Sequence, residues 1–298
     1  MALALYDPAA GYYRSERTRI GYGEGTDFFT ATTSGPLFGE LVAAACVKLL
    51  GPRDPRTFTF VELGVDSGEG IMAGVSHPFG STRAIRLGEP IALAGACVVF
   101  SNELFDAQPF QRFVFRDGAW RELGVRLRGD ALLETELPAA ADDIARLPRA
   151  AAAGYVIDAP FAAAALAVEI TRQPWSGLFV ACDYGKSWRE LTEATPAGTA
   201  RAYFRHAQSN QLLAQPGAQD LTCHVCWDWL ANALADGGFA PPTLESQEAF
   251  LVHHAAELIA RISADEAVHL SRRKLALMQL LHPAHLGQKF QVLHASRV

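Results

Sequence analysis

Three apolar stretches of the chain each run into residues able to do polar chemistry. Thr59-Phe60-Val61-Glu62-Leu63 breaks into Gly64, Gly68 and Gly70. Ala96-Cys97-Val98-Val99-Phe100 empties into Ser101-Asn102-Glu103, with Asp106 just beyond, and Gly177 to Cys182 ends at Asp183 before Tyr184-Gly185. Apolar runs of this length, rich in β-branched and aromatic residues, read as buried strands. Glycine reaches backbone angles closed to other residues and carries no Cβ, so amide N–H groups in such a turn can face a bound molecule. Acids and amides at the carboxyl ends of strands gather where open α/β sheets bind ligands. The expected chemistry is therefore the holding of one ligand in a shared crevice. A plainer reading stays open beside it: Asn102, Glu103 and Asp183 would also cap helices that follow their strands, and a glycine turn also serves chain reversal.

The elements that must position these groups can be read around them. Tyr6 to Gly25 is rich in Gly, Tyr and Arg without periodicity and reads as an irregular wrap over other structure. The amphipathic run Leu37 to Leu50, with Ser34 as N-cap and Gly51-Pro52 as stop, predicts a helix. A short helix to about Gly74 should follow the glycine turn, then a loop at Ser76 to Gly80 and a short strand from Arg83 to Leu87. Alternation from Phe110 to Leu137, with turns at Gly118 and Gly129-Asp130, predicts antiparallel hairpins beside the main sheet. Helices are expected over Ala139 to Ala153, Ala162 to Arg172, Cys223 to Leu234, Ala255 to Ile262 and Ala264 to Leu281, with His253-His254 at a helix start and a last strand from Phe290 to His294. The whole of residues 1–298 then forms one α/β domain, with an N-terminal wrap and helix over 1–57, an insertion over 110–175 and a helical substrate-side insertion over 196–285.

Bulk composition excludes several classes. With 298 residues, half of them apolar, the chain can bury a large core. A net charge of -6 without any block of like charge offers no footprint for nucleic acid. Met1 to Leu5 is too short for a secretory core, and no apolar run is long enough to span a bilayer, so a cytoplasmic protein without a membrane partner is expected. Five cysteines without framework spacing fit a reducing compartment. Cys223-His224-Val225-Cys226 with His282 and His285 has ligand types that zinc accepts, but nothing in the sequence brings the two pairs together, and no metal is expected.

Taken in order, the motifs resemble the MidA-type S-adenosylmethionine-dependent methyltransferases. The likeness runs through Asp27-Phe28-Phe29-Thr30, Pro36-Leu37-Phe38-Gly39-Glu40, Val61-Glu62-Leu63-Gly64 and Asn102-Glu103-Leu104-Phe105-Asp106-Ala107-Gln108-Pro109. It continues in Asp183-Tyr184-Gly185, Gly198 to Tyr203, His206, Pro216-Gly217, Asp220-Leu221-Thr222, Gln247 and Phe250-Leu251. The resemblance implies a Rossmann-like methyltransferase fold with a mixed, mostly parallel sheet and inserted hairpins and helices. It implies S-adenosylmethionine as cofactor, held by Glu62, Gly64, Gly68 and Gly70, with Glu89 on the ribose diol. Asn102, Glu103 and Asp106 would lie where the methyl group is transferred. Carboxylates there can orient a guanidinium and take up its proton. Asp27, Phe28, Phe29, Asp183, Tyr203 and His206 would face the acceptor. The family is similar to the mitochondrial complex I assembly factor that methylates an arginine, which implies a protein substrate, with a respiratory-complex subunit among the candidates, and leaves room for a homodimer.

Two departures bear on this expectation. Asp66 stands where the family's turn carries its second glycine, and its carboxylate would crowd or repel the carboxylate of the cofactor. Only Pro90 to Gly95 separates Glu89 from the next strand, where the family holds a further helix and strand. These leave a second reading in place: a member that keeps the fold as a binding or assembly protein without catalysis.

Overall fold

Alternation along three strands explains why their sequences read as continuous apolar runs. Phe60, Val98, Phe100, Leu178, Val180 and Cys182 face one hydrophobic layer, while Val61, Leu63, Cys97, Val99, Phe179 and Ala181 face another. Successive side chains point to opposite faces, so strands covered on both sides must be apolar throughout. The computed structural model describes residues 1–15, 18–21, 23, 25–28, 30–66, 68–265 and 271–298, with the side chain of residue 265 left aside. The expected substrate-side residue Phe29 and the 266–270 portion of the expected helix Ala264 to Leu281 lie outside the described residues.

The central sheet has six strands: β1 (Thr59–Val65), β2 (Ser81–Arg86), β3 (Gly95–Asn102), β4 (Trp175–Asp183), β5 (Thr243–Ser246) and β6 (Gln291–Arg297). Their order is β5-β6-β4-β3-β1-β2. β2, β1, β3 and β4 are mutually parallel where they pair, and β6 enters antiparallel to both β4 and β5. The sheet is thus mixed and mostly parallel, in an α/β Rossmann-like arrangement. Register matters most for the site. Leu63 pairs with Ser101, Ser101 with Ala181, and Asn102 with Cys182, so the ends of β1, β3 and β4 stand level.

One layer is closed by α1 (Pro36–Leu50), α4 (Gln247–His254) and α5 (Arg272–Leu281), the other by α2 (Phe161–Thr171) and α3 (Trp227–Asp236). A four-stranded antiparallel sheet carries the expected hairpins Gln111–Arg116, Ala119–Arg128 and Ala131–Leu137, joined by the strand Val156–Ala159. A small sheet of Arg201–Phe204, Ala207–Ser209 and Asp220–Thr222 lies on the ligand side. No helix among the described residues is long and apolar enough to cross a membrane.

Several boundaries differ from expectation for local reasons. Ser34 closes a tight turn, Ala31–Ser34, and the cap of α1 is Gly35, whose φ of 66° turns the chain before Pro36. The helix expected after the glycine turn is a pair of turns, because Gly70 and Gly74 sit at φ 84° and 68° and break any helical run. The helix expected over Ala139 to Ala153 is confined to Ala141–Ala145; Pro148 follows, and its carbonyl accepts from the Trp120 indole at 2.7 Å. α3 starts at Trp227, four residues late, because Val225–Cys226 pairs with Gly185–Lys186. His253-His254 ends α4 where a helix start was expected. Ser246 accepts from Ala249 N and starts that helix at Gln247.

Candidate active site

The turn after β1 is built by glycines that nothing else could replace cheaply. Gly64 has φ 78°, and a Cβ there would come 2.7 Å from Leu104 Cδ1. Gly70 has φ 84°, and a Cβ would run into the Glu62 carboxylate. Gly68, at φ 78°, has open space on its Cβ side. Glu62 is buried, and its Oε2 accepts from Ile71 N at 2.6 Å. Burial pushes its pKa up to about 7 against that hydrogen bond. Gly39 of α1 serves the same turn, since a Cβ at that position would strike the Ile71 carbonyl.

The end of β3 supplies the second wall. Glu103 takes φ 52°, its N–H donates to Cys182 O at 2.9 Å, and Asn102 Nδ2 donates to its Oε1 at 3.0 Å. A non-glycine residue at positive φ is uncommon and is held there by its surroundings. Burial, then the neighbouring Asp106 carboxyl, pushes Glu103 well above the usual carboxylate range. Burial and the adjacent Asp183 do the same to Asp106. Asn102 Oδ1 and Asp106 Oδ1 are buried polar atoms without a hydrogen-bond partner among the described residues. Buried polar atoms left unpaired are costly, and a bound group that satisfies them recovers that cost.

A third wall comes from distant parts of the chain. Asp220, buried, accepts from the Tyr13 hydroxyl at 2.9 Å, and burial pushes its pKa up to about 6. Asp27 accepts from the Tyr12 hydroxyl at 2.7 Å and from Arg205 N at 2.8 Å. His206 Nε2 lies 3.0 Å from Thr26 Oγ1, and the Tyr203 hydroxyl donates to Gln208 Oε1 at 3.2 Å. Tyr12 and Tyr13 of the N-terminal segment thus reach the carboxylates of the site.

These walls enclose a cavity of about 1380 Å³. That exceeds the roughly 300–1,000 Å³ typical of a single small-ligand pocket, leaving room for a cofactor and an acceptor together. Of the residues expected from sequence, Asp27, Phe28, Glu62, Gly64, Gly68, Gly70, Asn102, Glu103, Asp106, Tyr203 and His206 line it. Two do not. Glu89 curls back to accept from Arg86 N at 2.8 Å in the exposed turn after β2, so it caps its own turn and is absent from the cavity wall. Asp183 is fully buried beneath the site, where its Oδ2 accepts from Phe105 N at 3.0 Å and Asp106 N at 3.3 Å. It positions the Asp106 turn after β3 and does not cap the helix that follows its own strand, which Ser187 caps. Tyr184, Asp220 and His224 also line the cavity; the first two stand within quoted motifs without having been assigned a role, and His224 was weighed only as a zinc ligand. Burial, then Lys186 and Arg201, holds His224 down at about 4, so it is a neutral imidazole at pH 7.

Asp66 lines the cavity with its charge met by a partner. Arg19 pairs with it through Nη2 to Oδ1 and through Nε to Oδ2 at 3.3 Å. The same guanidinium donates to Tyr12 O at 3.1 Å and Ser15 O at 2.8 Å and lies 5.6 Å from the Tyr12 and Tyr13 rings. The added carboxylate thus arrives with its own counter-ion.

A glycine turn after the first strand, level strand ends bearing an amide and acids, and an antiparallel strand set between β4 and the edge strand β5 fit the class of α/β methyltransferases that use a sulfonium nucleotide. A family model described as "Putative S-adenosyl-L-methionine-dependent methyltransferase" matches residues 85–242, more than half of the chain, and the chain belongs to this family. Its cofactor is S-adenosylmethionine. A crystal structure from Burkholderia thailandensis, bound to S-adenosyl-homocysteine, is 26% identical with a TM-score of 0.87, over 99% of this chain and 86% of that one. A native crystal structure of an uncharacterized protein from the same organism is 25% identical with a TM-score of 0.81, over 99% and 85%. No curated protein matches the chain.

Proposed function

We propose that the chain methylates a cationic nitrogen of a protein side chain, with the arginine guanidinium as acceptor. The observation carrying this reading is the grouping of Glu103, Asp106 and Asp220 around one cavity with carboxyl pKa values raised by burial. Among the described residues, no ion pair joins any of the three to a Lys, Arg or His. Burying acids without a counter-ion is unfavourable, and a ligand that brings a positive charge relieves it. Planar guanidinium suits such a site because it donates in a fixed fork to two carboxylates at once.

When bound, S-adenosylmethionine supplies an electrophilic methyl group on sulfur. The chain's own task is to align the acceptor and keep water away. Glu103 and Asp106 orient the acceptor by charge-assisted hydrogen bonds, losing their protons as the cation arrives. One of them then takes the proton that the methylated nitrogen releases. Asn102 holds the Glu103 carboxyl in place. Tyr203, on a strand of the small sheet, and His206, in its hairpin turn, line the cavity and support the approach of a protein segment from that side. The five cysteines, all free and buried, support a reducing, cytoplasmic setting.

The test is calorimetric titration with S-adenosylmethionine and S-adenosyl-homocysteine, followed by methyl transfer to arginine-containing peptides. Glu103→Gln should leave cofactor affinity unchanged while lowering kcat, and unchanged turnover would remove Glu103 from this role. Absence of heat and of any melting shift at millimolar ligand would favour the binding or assembly reading, because a ligand of the native state must raise apparent stability.

A further inference from the structure

Away from the cavity, three histidines turn toward one carboxylate. The register of β5 on β6 sets Glu245 opposite Val292 and Thr243 opposite His294. Glu245 and His294 are therefore diagonal neighbours on one face of the sheet. α4 begins two residues after Glu245, and its last turn brings His253 and His254 over that same face. Glu245 Oε2 lies 2.9 Å from His254 Nε2 and 3.1 Å from His294 Nε2, while Oε1 lies 2.5 Å from His253 Nδ1.

The donor atoms of Glu245, His254 and His294 all fall within 4.8 Å of one another. Bonds of about 2.0–2.1 Å to a tetrahedral zinc place ligand atoms roughly 3.3 Å apart, so small rotamer shifts suffice to admit an ion. Among the described residues this is the group of three or more His, Cys, Asp or Glu side chains that converges in this way. The surroundings favour a formed site. The Phe250 ring packs 5.2 Å from His254 and 5.6 Å from His294, fixing both imidazoles. The Glu245, His254 and His294 side chains are mostly buried, whereas His253 stands at the solvent rim.

We propose that Glu245, His254 and His294 form a site for a divalent transition-metal ion of the imidazole-preferring kind, with the rim position open to His253 or water. None of the three lines the methyl-transfer cavity, so the ion is a staple joining β5, α4 and β6 rather than a catalyst.

The full chain, stripped with a chelator, should take up one equivalent of Zn2+ by calorimetry and melt at a higher temperature once loaded. Co2+ should give the visible absorption of a four-coordinate ion. Glu245→Gln and His254→Ala should each weaken zinc by about 100-fold or more, since even outer partners of metal ligands are worth 10–100-fold. Glu245→Gln is nearly isosteric, so it carries the test if the histidine variant fails to fold. His282→Ala, at the exposed pair flanking Pro283, should change nothing. Absence of stoichiometric uptake, uptake that survives Glu245→Gln, or uptake abolished by His282→Ala would each overturn the site.

Discussion

Replacing Arg19 with methionine isolates the adaptation that makes room for Asp66. The Arg19 side chain is 6% exposed and Asp66 22% exposed, so the pair is largely but not wholly withdrawn from water. Removing one partner of a fully buried pair costs about 3–5 kcal/mol, and partial solvation of Asp66 reduces this to about 2–3 kcal/mol. Methionine keeps some packing against Tyr12 and Tyr13 but leaves Ser15 O without the guanidinium donor, and Tyr12 O with the Ser15 hydroxyl alone. At about 2.1 cal/mol/K per residue, a chain of 298 residues moves in Tm by about 1.6 °C for each kcal/mol, so a fall of about 3–5 °C is expected. Asp66→Asn alone should cost about 1 kcal/mol, because Arg19 keeps its two carbonyl partners. The double variant should recover about 1–2 kcal/mol of the sum, the coupling energy of the charge pair. Cofactor affinity should follow: Arg19→Met turns an unpaired carboxylate on the cavity wall and weakens S-adenosyl-homocysteine by about tenfold, which the double variant restores. Thermal melts and calorimetry on the four proteins measure both effects. Strictly additive stabilities, with unchanged affinity in Arg19→Met, would refute the idea that Arg19 neutralises Asp66.

Two further outcomes follow from the site. Glu62 holds its proton in the fold to about pH 7 but releases it near 4.5 when unfolded, so its raised pKa contributes stability at low pH that is lost as pH rises. The stability of the wild type relative to Glu62→Gln should therefore fall by about 3 kcal/mol from pH 4.5 to 8 in denaturant titrations, at about 1.4 kcal/mol per unit, and a flat difference would contradict the burial of that carboxyl. Gly39→Ala should destabilise by about 1–3 kcal/mol, because its methyl group must displace the Ile71 carbonyl and with it the Ile71 N–H that Glu62 accepts from. A melt identical to wild type would show that α1 does not press on the turn.

The ligand-side ends of β1, β3 and β4 were legible because each strand is covered on both faces, which forces a continuous apolar run and leaves the first polar residue to mark its exit. The hairpins were legible for an equally local reason, since Asp117 and Gly118 both take positive φ and suit a two-residue turn. Glu89 was misplaced because the turn after β2 bends its carboxyl back onto Arg86 N, a choice of rotamer that no spacing reveals. Asp183 was read toward the acceptor, yet one residue of depth puts it under the floor, holding the chain that presents Asp106.

Sequence by itself determined the buried strands and the glycine turn, because these rest on side-chain periodicity and on backbone angles that only particular residues adopt, while the family and its cofactor followed from the resemblance carried by the ordered motifs. Tertiary structure decided which charges meet. Arg19 reaches Asp66 across 47 residues, Tyr13 reaches Asp220 across 207, and Glu245 meets His294 across 49. Such pairings depend on where packed elements bring distant side chains within a few ångströms, and electrostatic energy falls too steeply with distance and solvent for composition alone to anticipate them.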